Sequence, residues 1–299
     1  IVNDGSTDGT KEILESYGDE RIKIFHLEEN RGVGFASNFA VQKATGKYIA
    51  RIDSDDIYHK DRFKLQYEFL ESNPDIALVK ALVEYFGDEE IQKTERYHSL
   101  KNILERDKNS ASLPEEISKQ LYWHICIPHN SIMVRAEVMK KFGYDDFRYG
   151  EDYSLFYKMN VAGYKMATVN KKLAKIRVSN DSITANHKRV LYENVYYIKK
   201  DIIEPLFEKE KVYLWGAGSF GALVKEILES HNLIVEGFID GDPSKEGSQI
   251  EGLKVFSPEI LNQNKDIKII VTSQPGRSSI VDIIEEKGYE HLKDYVVYL

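Results

Sequence analysis

The chain has 299 residues, 42% of them apolar and 30% charged, with a formal charge of -8. That length suggests about two domains, the composition is that of a globular protein able to build real cores, and the acidic balance argues against nucleic acid, which asks for a basic patch. Cys126 is the single cysteine, which excludes an internal disulfide and a thiolate metal cluster and is compatible with a reducing compartment. Apolar runs such as "IKIIV" before Thr272 fall far short of the roughly 20 residues that cross a bilayer, and no signal peptide is visible. A cytoplasmic chain without a transmembrane segment is expected, at most peripheral to the inner face of the cytoplasmic membrane.

The first residues, Ile1-Val2, read as the second half of a strand, and with no Met before them an upstream segment is expected. "NDGSTDGT" follows as a turn, "KEILESYG" as a helix stopped by Gly18, and "RIKIFHL" as a short strand. Phe35, Phe39 and Ala40 recur at helical spacing, and Gly46 ends that helix before the strand "KYIARI". This β-α-β-α-β rhythm favours an α/β sheet with ligands beyond the carboxyl ends of its strands, where "NDGS" and "DSDD" fall. Phe63, Tyr67 and Leu70 predict a helix ending before Asn73-Pro74, and "IALVKALVEYF" predicts a strand or strand pair. Residues 101–120 are polar and weakly patterned, and read as a mobile loop or an exposed helix. A stripe of Leu191, Val195, Ile198 and Ile202 closes at Pro205, and the charged "EKEK" after it is the expected boundary between domains 1–205 and 206–299. Beyond it strands and helices alternate again, from "KVYLW" to "YVVYL", as a smaller α/β unit.

Asp53, Asp55 and Asp56 sit directly behind a buried strand and repel one another unless cations or donors compensate them. Two readings stand. One is a solvated turn with Asp as a helix N-cap. The other is a divalent-metal site, because Mg²⁺ or Mn²⁺ takes one or two carboxylates and completes its shell with water and substrate phosphates.

"IVNDGSTDGT", "ENRGVGFASNFAVQKATGKYIARIDSDD" and "IPHNSIMVRAEVMKKFGYDDFRYGEDYSLFYKM" resemble, in order and spacing, successive blocks of the family 2 glycosyltransferases with the GT-A fold. The resemblance covers residues 1 to about 185. It implies a GT-A nucleotide-diphospho-sugar transferase domain and an inverting transfer from a nucleotide-diphosphate sugar, a UDP-sugar by family weight. The implied acceptor is a hydroxyl of a glycan or a lipid-linked carrier, in bacterial surface polysaccharide synthesis. On the matching positions it puts Asp4 against the base, Asp53 near the ribose, and Asp55, with Asp53 beside it, on a Mn²⁺ or Mg²⁺ ion; Asp56 would support the turn or cap the next helix. Glu151-Asp152 fits the family's E-D pair, Asp152 as the base and Glu151 orienting the acceptor or a neighbouring loop. Read alone, such a pair is a helix first turn that suits the macrodipole. Two departures stand out. The family's P-x-Y-N-type segment is not in this chain, and where many members carry R-x-H this one has Arg177-Val178-Ser179, a serine being a poorer metal ligand. His187 stays unassigned, and His129 matches a family His near the acceptor or simply packs.

In the second unit Gly216, Gly218 and Gly221 form G-x-G-x-x-G between a strand and a helix, and Asp240 ends the next strand, where a ribose-binding acid is expected. The stretch resembles small Rossmann-like domains appended to bacterial sugar-processing enzymes and methyltransferases, with either nucleotide binding or a structural role. Two other classes compete for the chain as a whole. A phosphohydrolase of the haloacid dehalogenase type wants Thr or Val where Ile57 stands, and a non-catalytic nucleotide-sugar binding or scaffold protein would not need both D-x-D and E-D.

Overall fold

The computed structural model describes residues 1–179, 188–208, 211–263 and 266–299. Contacts group the chain into two compact units, one of Ile1–Leu121 with Ile125–Ser182 and one of Tyr122–His124 with Ile183–Leu299.

In the first unit β1 (Val2–Asn3), α1 (Thr10–Glu15) and β2 (Phe25–His26) make a small parallel pair, followed by α2 (Val33–Lys43). Then come β3 (Tyr48–Ala50), β4 (Ile57–Tyr58), α3 (Arg62–Ser72) and β5 (Ile76–Phe86). After α4 (Glu89–Gln92) and α5 (Glu95–Ser99), a π-helical turn over Leu100–Leu104 leads into α6 (Glu105–Asn109) and α7 (Pro114–Trp123). The unit closes with β6 (Met133–Arg135), α8 (Ala136–Phe142), α9 (Glu151–Val161) and β7 (Lys165–Arg177). Its five-stranded sheet runs β3-β6-β5-β7-β4 and is mixed: β5 and β7 are parallel, β6 opposes β3 and β5, and β4 opposes β7. This is the α/β architecture expected from the sequence.

"IALVKALVEYF" is one continuous strand at the centre of that sheet, and its near-unbroken apolar run follows from burial on both faces. Two other sequence expectations change. Helix α3 turns Arg62, Gln66 and Leu70 inward, while Phe63 and Tyr67 stay about half exposed. Bonding explains it: Arg62 and Gln66 reach the main-chain carbonyls of Arg51, Ile132, Ser131 and Val79, which an aromatic ring could not satisfy. Residues 101–120 are neither a loop nor an exposed helix, since Glu105, Lys108, Ala111 and Ile117 are buried. Their polar groups serve β5: Asn109 Oδ1 and Nδ2 bond the Val83 N–H and carbonyl, both at 2.9 Å, and Glu105 Oε2 accepts the Tyr85 N–H at 2.9 Å.

The second unit holds α10 (Lys188–Ile203), β8 (Lys211–Trp215), α11 (Ser219–Ser230), β9 (Gly237–Ile239), β10 (Gln249–Ile250), β11 (Leu253–Phe256), α12 (Ile260–Gln263), β12 (Ile267–Val271), α13 (Arg277–Glu286) and β13 (Tyr295–Val297). The strand order is β10-β11-β9-β8-β12-β13, all parallel except β10. The order reverses at β8, between β9 and β12, as in doubly wound Rossmann-like sheets. Lys199 is fully buried in this unit, its ammonium donating to the carbonyls of Tyr122, Trp123, Val297 and Tyr298 at 2.8 to 3.1 Å.

Candidate active site

Beyond β3 the chain turns through Arg51 to Asp56, and the three acids end up in different situations. Arg51 grips Asp53 through Nε and Nη2, both 2.9 Å from Oδ1, and donates through Nη1 to Ser37 Oγ of α2 at 2.8 Å. The Asp53 N–H donates to the Tyr58 hydroxyl at 2.7 Å. Asp56 accepts from the Arg177 N–H at 2.8 Å, from Tyr58 at 3.3 Å and from Asn130 Nδ2, and burial pushes its carboxyl above the usual carboxylate range. Asp56 therefore supports the turn; it does not cap α3, whose N-cap residue is Asp61. Asp55 is exposed, its carbonyl accepts Arg177 Nε at 3.0 Å, and its carboxylate has no partner among the described residues.

Arg62 lies beneath this turn, 1% exposed. Its Nη2 donates to the carbonyls of Arg51 at 2.8 Å and Ile132 at 3.0 Å, and its Nε to Gln66 Oε1 at 3.0 Å, while Nη1 has no hydrogen-bond partner among the described residues. The guanidinium sits 4.6 Å from the Tyr58 ring centroid, and burial lowers its pKa to about 10. The sequence does carry its signal: Arg62, Gln66 and Leu70 share the i, i+4, i+8 spacing of one helix face, but the aromatic Phe63 and Tyr67 draw the eye to the neighbouring face.

Glu151 and Asp152 open α9 behind Gly150, whose φ of 81° is the left-handed conformation that glycine adopts without strain. Glu151 is buried and Asp152 half-buried, and Asp152 Oδ1 accepts the Tyr153 N–H at 2.7 Å. Burial raises both carboxyls; the charge of Asp152 raises Glu151 further, while the Lys108 ammonium and then Arg51 oppose the rise at Asp152. Arg51 thus acts on Asp53 and on both members of the E-D pair. His129 donates or accepts through Nε2 with the Tyr144 hydroxyl at 2.7 Å, its ring packs against those of Tyr144 and Phe156, and burial keeps it neutral. The Lys108 charge that acts on Asp152 is buried and held by the Ile127 carbonyl at 3.3 Å, and the equally buried Lys80 donates to the carbonyls of Lys108 and Cys126 at 2.6 and 3.0 Å.

Asp4 fastens the loop before α2: Oδ1 accepts the Arg31 N–H at 2.8 Å and Oδ2 the Gly32 N–H at 2.9 Å. That loop and residues 146–148 enclose a pocket of about 160 Å³, lined by Asn30, Arg31, Gly32, Asp146 and Arg148 among others. Ser179 lies two residues beyond Arg177, which bonds the acidic turn, and His187 lies outside the described residues. Among the described residues no three His, Cys, Asp or Glu side chains converge as a metal-ligand set.

In the second unit, a Cβ on Gly221 would come 1.9 Å from the Gly216 carbonyl, and Gly216 has φ 129°, so both positions require glycine; Gly218 faces open space. Asp240 Oδ2 accepts the Ala217 N–H at 2.9 Å and Lys245 Nζ at 2.8 Å, and Oδ1 accepts the Asp242 N–H at 2.9 Å. Its carboxylate therefore braces the glycine loop from below. Among the described residues no helix is long and apolar enough to cross a membrane.

Residues 1–142 match the family described as glycosyl transferase family 2, and residues 208–293 the one described as C2185-like, N-terminal. The uncharacterized glycosyltransferase MJ1057 of Methanocaldococcus jannaschii is 30% identical over 219 residues, 72% of each chain. The putative teichuronic acid biosynthesis glycosyltransferase TuaG of Bacillus subtilis is 50% identical over 72 residues, 23% of this chain and 29% of that one. In fold, the chain is similar to S. aureus TarS 1-349 in complex with UDP-GlcNAc, with TM-score 0.52 and 18% identity over 79% of this chain and 64% of that one. The chain thus spans less than two-thirds of the length of TuaG and of that TarS structure.

Proposed function

Because the chain belongs to the glycosyltransferase family 2, we propose that its first unit moves a sugar, with inversion, from a UDP-sugar to a hydroxyl acceptor during synthesis of a glycan or surface polysaccharide. The observation that carries this reading is the division of labour in the acidic turn. Protein donors hold Asp53 and Asp56, while the exposed carboxylate of Asp55 has no partner among the described residues. One free carboxylate with a second close by suits Mn²⁺ or Mg²⁺, which draws its remaining ligands from water and phosphate oxygens. Asp55 would hold that ion, with Asp53 beside it, and the ion when bound supplies positive charge to the departing diphosphate.

The chain's own residues do the rest. Asp4 orders the Arg31-Gly32 loop against which the base would lie, and Asp53, fixed by Arg51, offers its second oxygen to the ribose. Asp152 takes the proton from the attacking hydroxyl, its burial bringing its proton affinity closer to working pH. Glu151, deeper and raised by the same burial and by its neighbour's charge, holds a proton it can donate to an acceptor oxygen. TuaG, a putative teichuronic acid biosynthesis glycosyltransferase, supports a polysaccharide or lipid-linked acceptor. Nucleotide sugars are cytoplasmic metabolites, so such an acceptor would be met at the inner membrane face. For the second unit, we infer a Rossmann-like domain of nucleotide-binding type in which Asp240 acts as a brace.

The test is release of nucleoside diphosphate over a panel of UDP-, GDP- and TDP-sugars with Mn²⁺ or Mg²⁺. Metal-dependent release from a UDP-sugar is expected; release from none, with the protein folded, sinks the reading.

A further inference from the structure

Asp56 is the one acid of the turn that the catalytic reading leaves without a task. All but one of its contacts cross to distant segments. Oδ1 accepts the N–H of Arg177 at the end of β7 at 2.8 Å, and Oδ2 accepts Nδ2 of Asn130, which is 7% exposed, with the nearby Tyr58 hydroxyl at 3.3 Å. Arg177 returns the contact, donating through Nε to the Asp55 carbonyl at 3.0 Å with its guanidinium 4.7 Å from the Phe86 ring centroid. Three segments far apart in sequence therefore meet on one carboxylate, and the carboxylate of the residue just before it has no partner among the described residues.

We propose that Asp56 is a positioning residue that fastens the acidic turn to Arg177 and Asn130 so that Asp55 is presented with an open carboxylate. This rests on the assignment of Asp55 above. Serving as a ligand itself would require Asp56 to release donors that are buried or at a strand end, and a buried donor left without an acceptor is costly. Serving as a clamp requires only the contacts already made.

Exchanging the chemistry across the pair separates the two roles. In Asp56→Asn the amide NH₂ meets the NH₂ of Asn130, two donors face to face. Adding Asn130→Asp restores a donor and an acceptor, while the amide oxygen at position 56 still takes the Arg177 N–H; a carboxylate at 56 remains missing. UDP is titrated with Mn²⁺ by calorimetry, and hydrogen exchange is followed at the Arg177 amide, on the full chain. Asp56→Asn should weaken binding by about tenfold or more and speed exchange at Arg177, the double variant recovering both to within about threefold of the native chain. A double variant that protects the Arg177 amide yet binds as weakly as Asp56→Asn would make the carboxylate itself the ligand and overturn the proposal; so would an Asp56→Asn variant that binds like the native chain. Should the native chain bind no UDP with Mn²⁺, the donor reading fails separately, and exchange at Arg177 decides alone: a rate unchanged by Asp56→Asn refutes the clamp.

Discussion

Arg62 donates through Nη2 to the carbonyl oxygen of Arg51 at 2.8 Å, and this bond joins the inner face of α3 to the residue that grips Asp53. A buried cation thus supports the acidic turn through the main chain, and among the described residues it forms no ion pair with the turn's carboxylates. Arg62→Met keeps much of the stem but removes the fork, leaving the Arg51 and Ile132 carbonyls short of donors, at about 1–3 kcal/mol each, partly offset by no longer burying an unpaired charge. A net loss of about 2 kcal/mol is expected in urea unfolding. Arg62→Lys should recover only part of it, because one ammonium cannot reproduce a planar fork.

Asp55 makes the opposite prediction. No described residue bonds its carboxylate, so Asp55→Ala should leave the unfolding free energy within about 0.5 kcal/mol of native while abolishing metal-dependent UDP binding. Calorimetry beside a denaturation curve checks both halves. Retained metal-dependent binding would move the ion elsewhere.

Asp152→Asn preserves shape and cannot accept a proton. Donor affinity should hold, since the donor side rests on Asp4, Asp53 and Asp55, while transfer falls by about two to four orders of magnitude. Joint loss of affinity and turnover would make Asp152 a pocket or folding residue; near-native transfer would pass the base role to Glu151.

The acid limb of kcat/KM reports the same group. The base works ionised, so activity is lost as pH falls through its pKa, and burial, by raising that pKa, should place the limb above the usual carboxylate value of about 4. The Lys108 ammonium opposes the rise, so Lys108→Met removes a stabilising charge and should carry the limb to still higher pH, with Lys108→Arg staying near native. A limb that stays fixed or moves down in Lys108→Met would take Lys108 out of the account.

Much of this site could be read in the sequence because its signals are local. Strand, turn and helix alternate visibly through the first fifty residues, and Gly150-Glu151-Asp152 announces its own helix start. The supports were harder to see because their partners are remote. Arg62 and Gln66 look like the solvent face of a helix until the carbonyls of Arg51, Ile132, Ser131 and Val79 are placed beside them. Glu105, Lys108 and Asn109 look like an exposed, charged stretch for the same reason. Asp240 has the spacing of a ribose-binding acid, yet only the fold reveals the Ala217 N–H and Lys245 that take up its oxygens. A polar residue's meaning lies in its bonding partner, and periodicity does not carry that.

The helix side chains along β5 have a consequence for how the molecule behaves among its copies. β6 pairs with β5 only at Leu78 and Val79, and farther along, the main chain at Val83 and Tyr85 bonds Asn109 and Glu105 instead of another strand. Unpaired strand edges are templates on which a second chain can add, the first step toward aggregates. Here a carboxylate and an amide occupy those hydrogen-bonding positions, and neither can pass the ladder on. An apolar, β-prone segment such as "ALVEYF" is thereby withheld from intermolecular pairing by two polar residues of a short helix, and substituting them would be felt as lost solubility as well as lost stability.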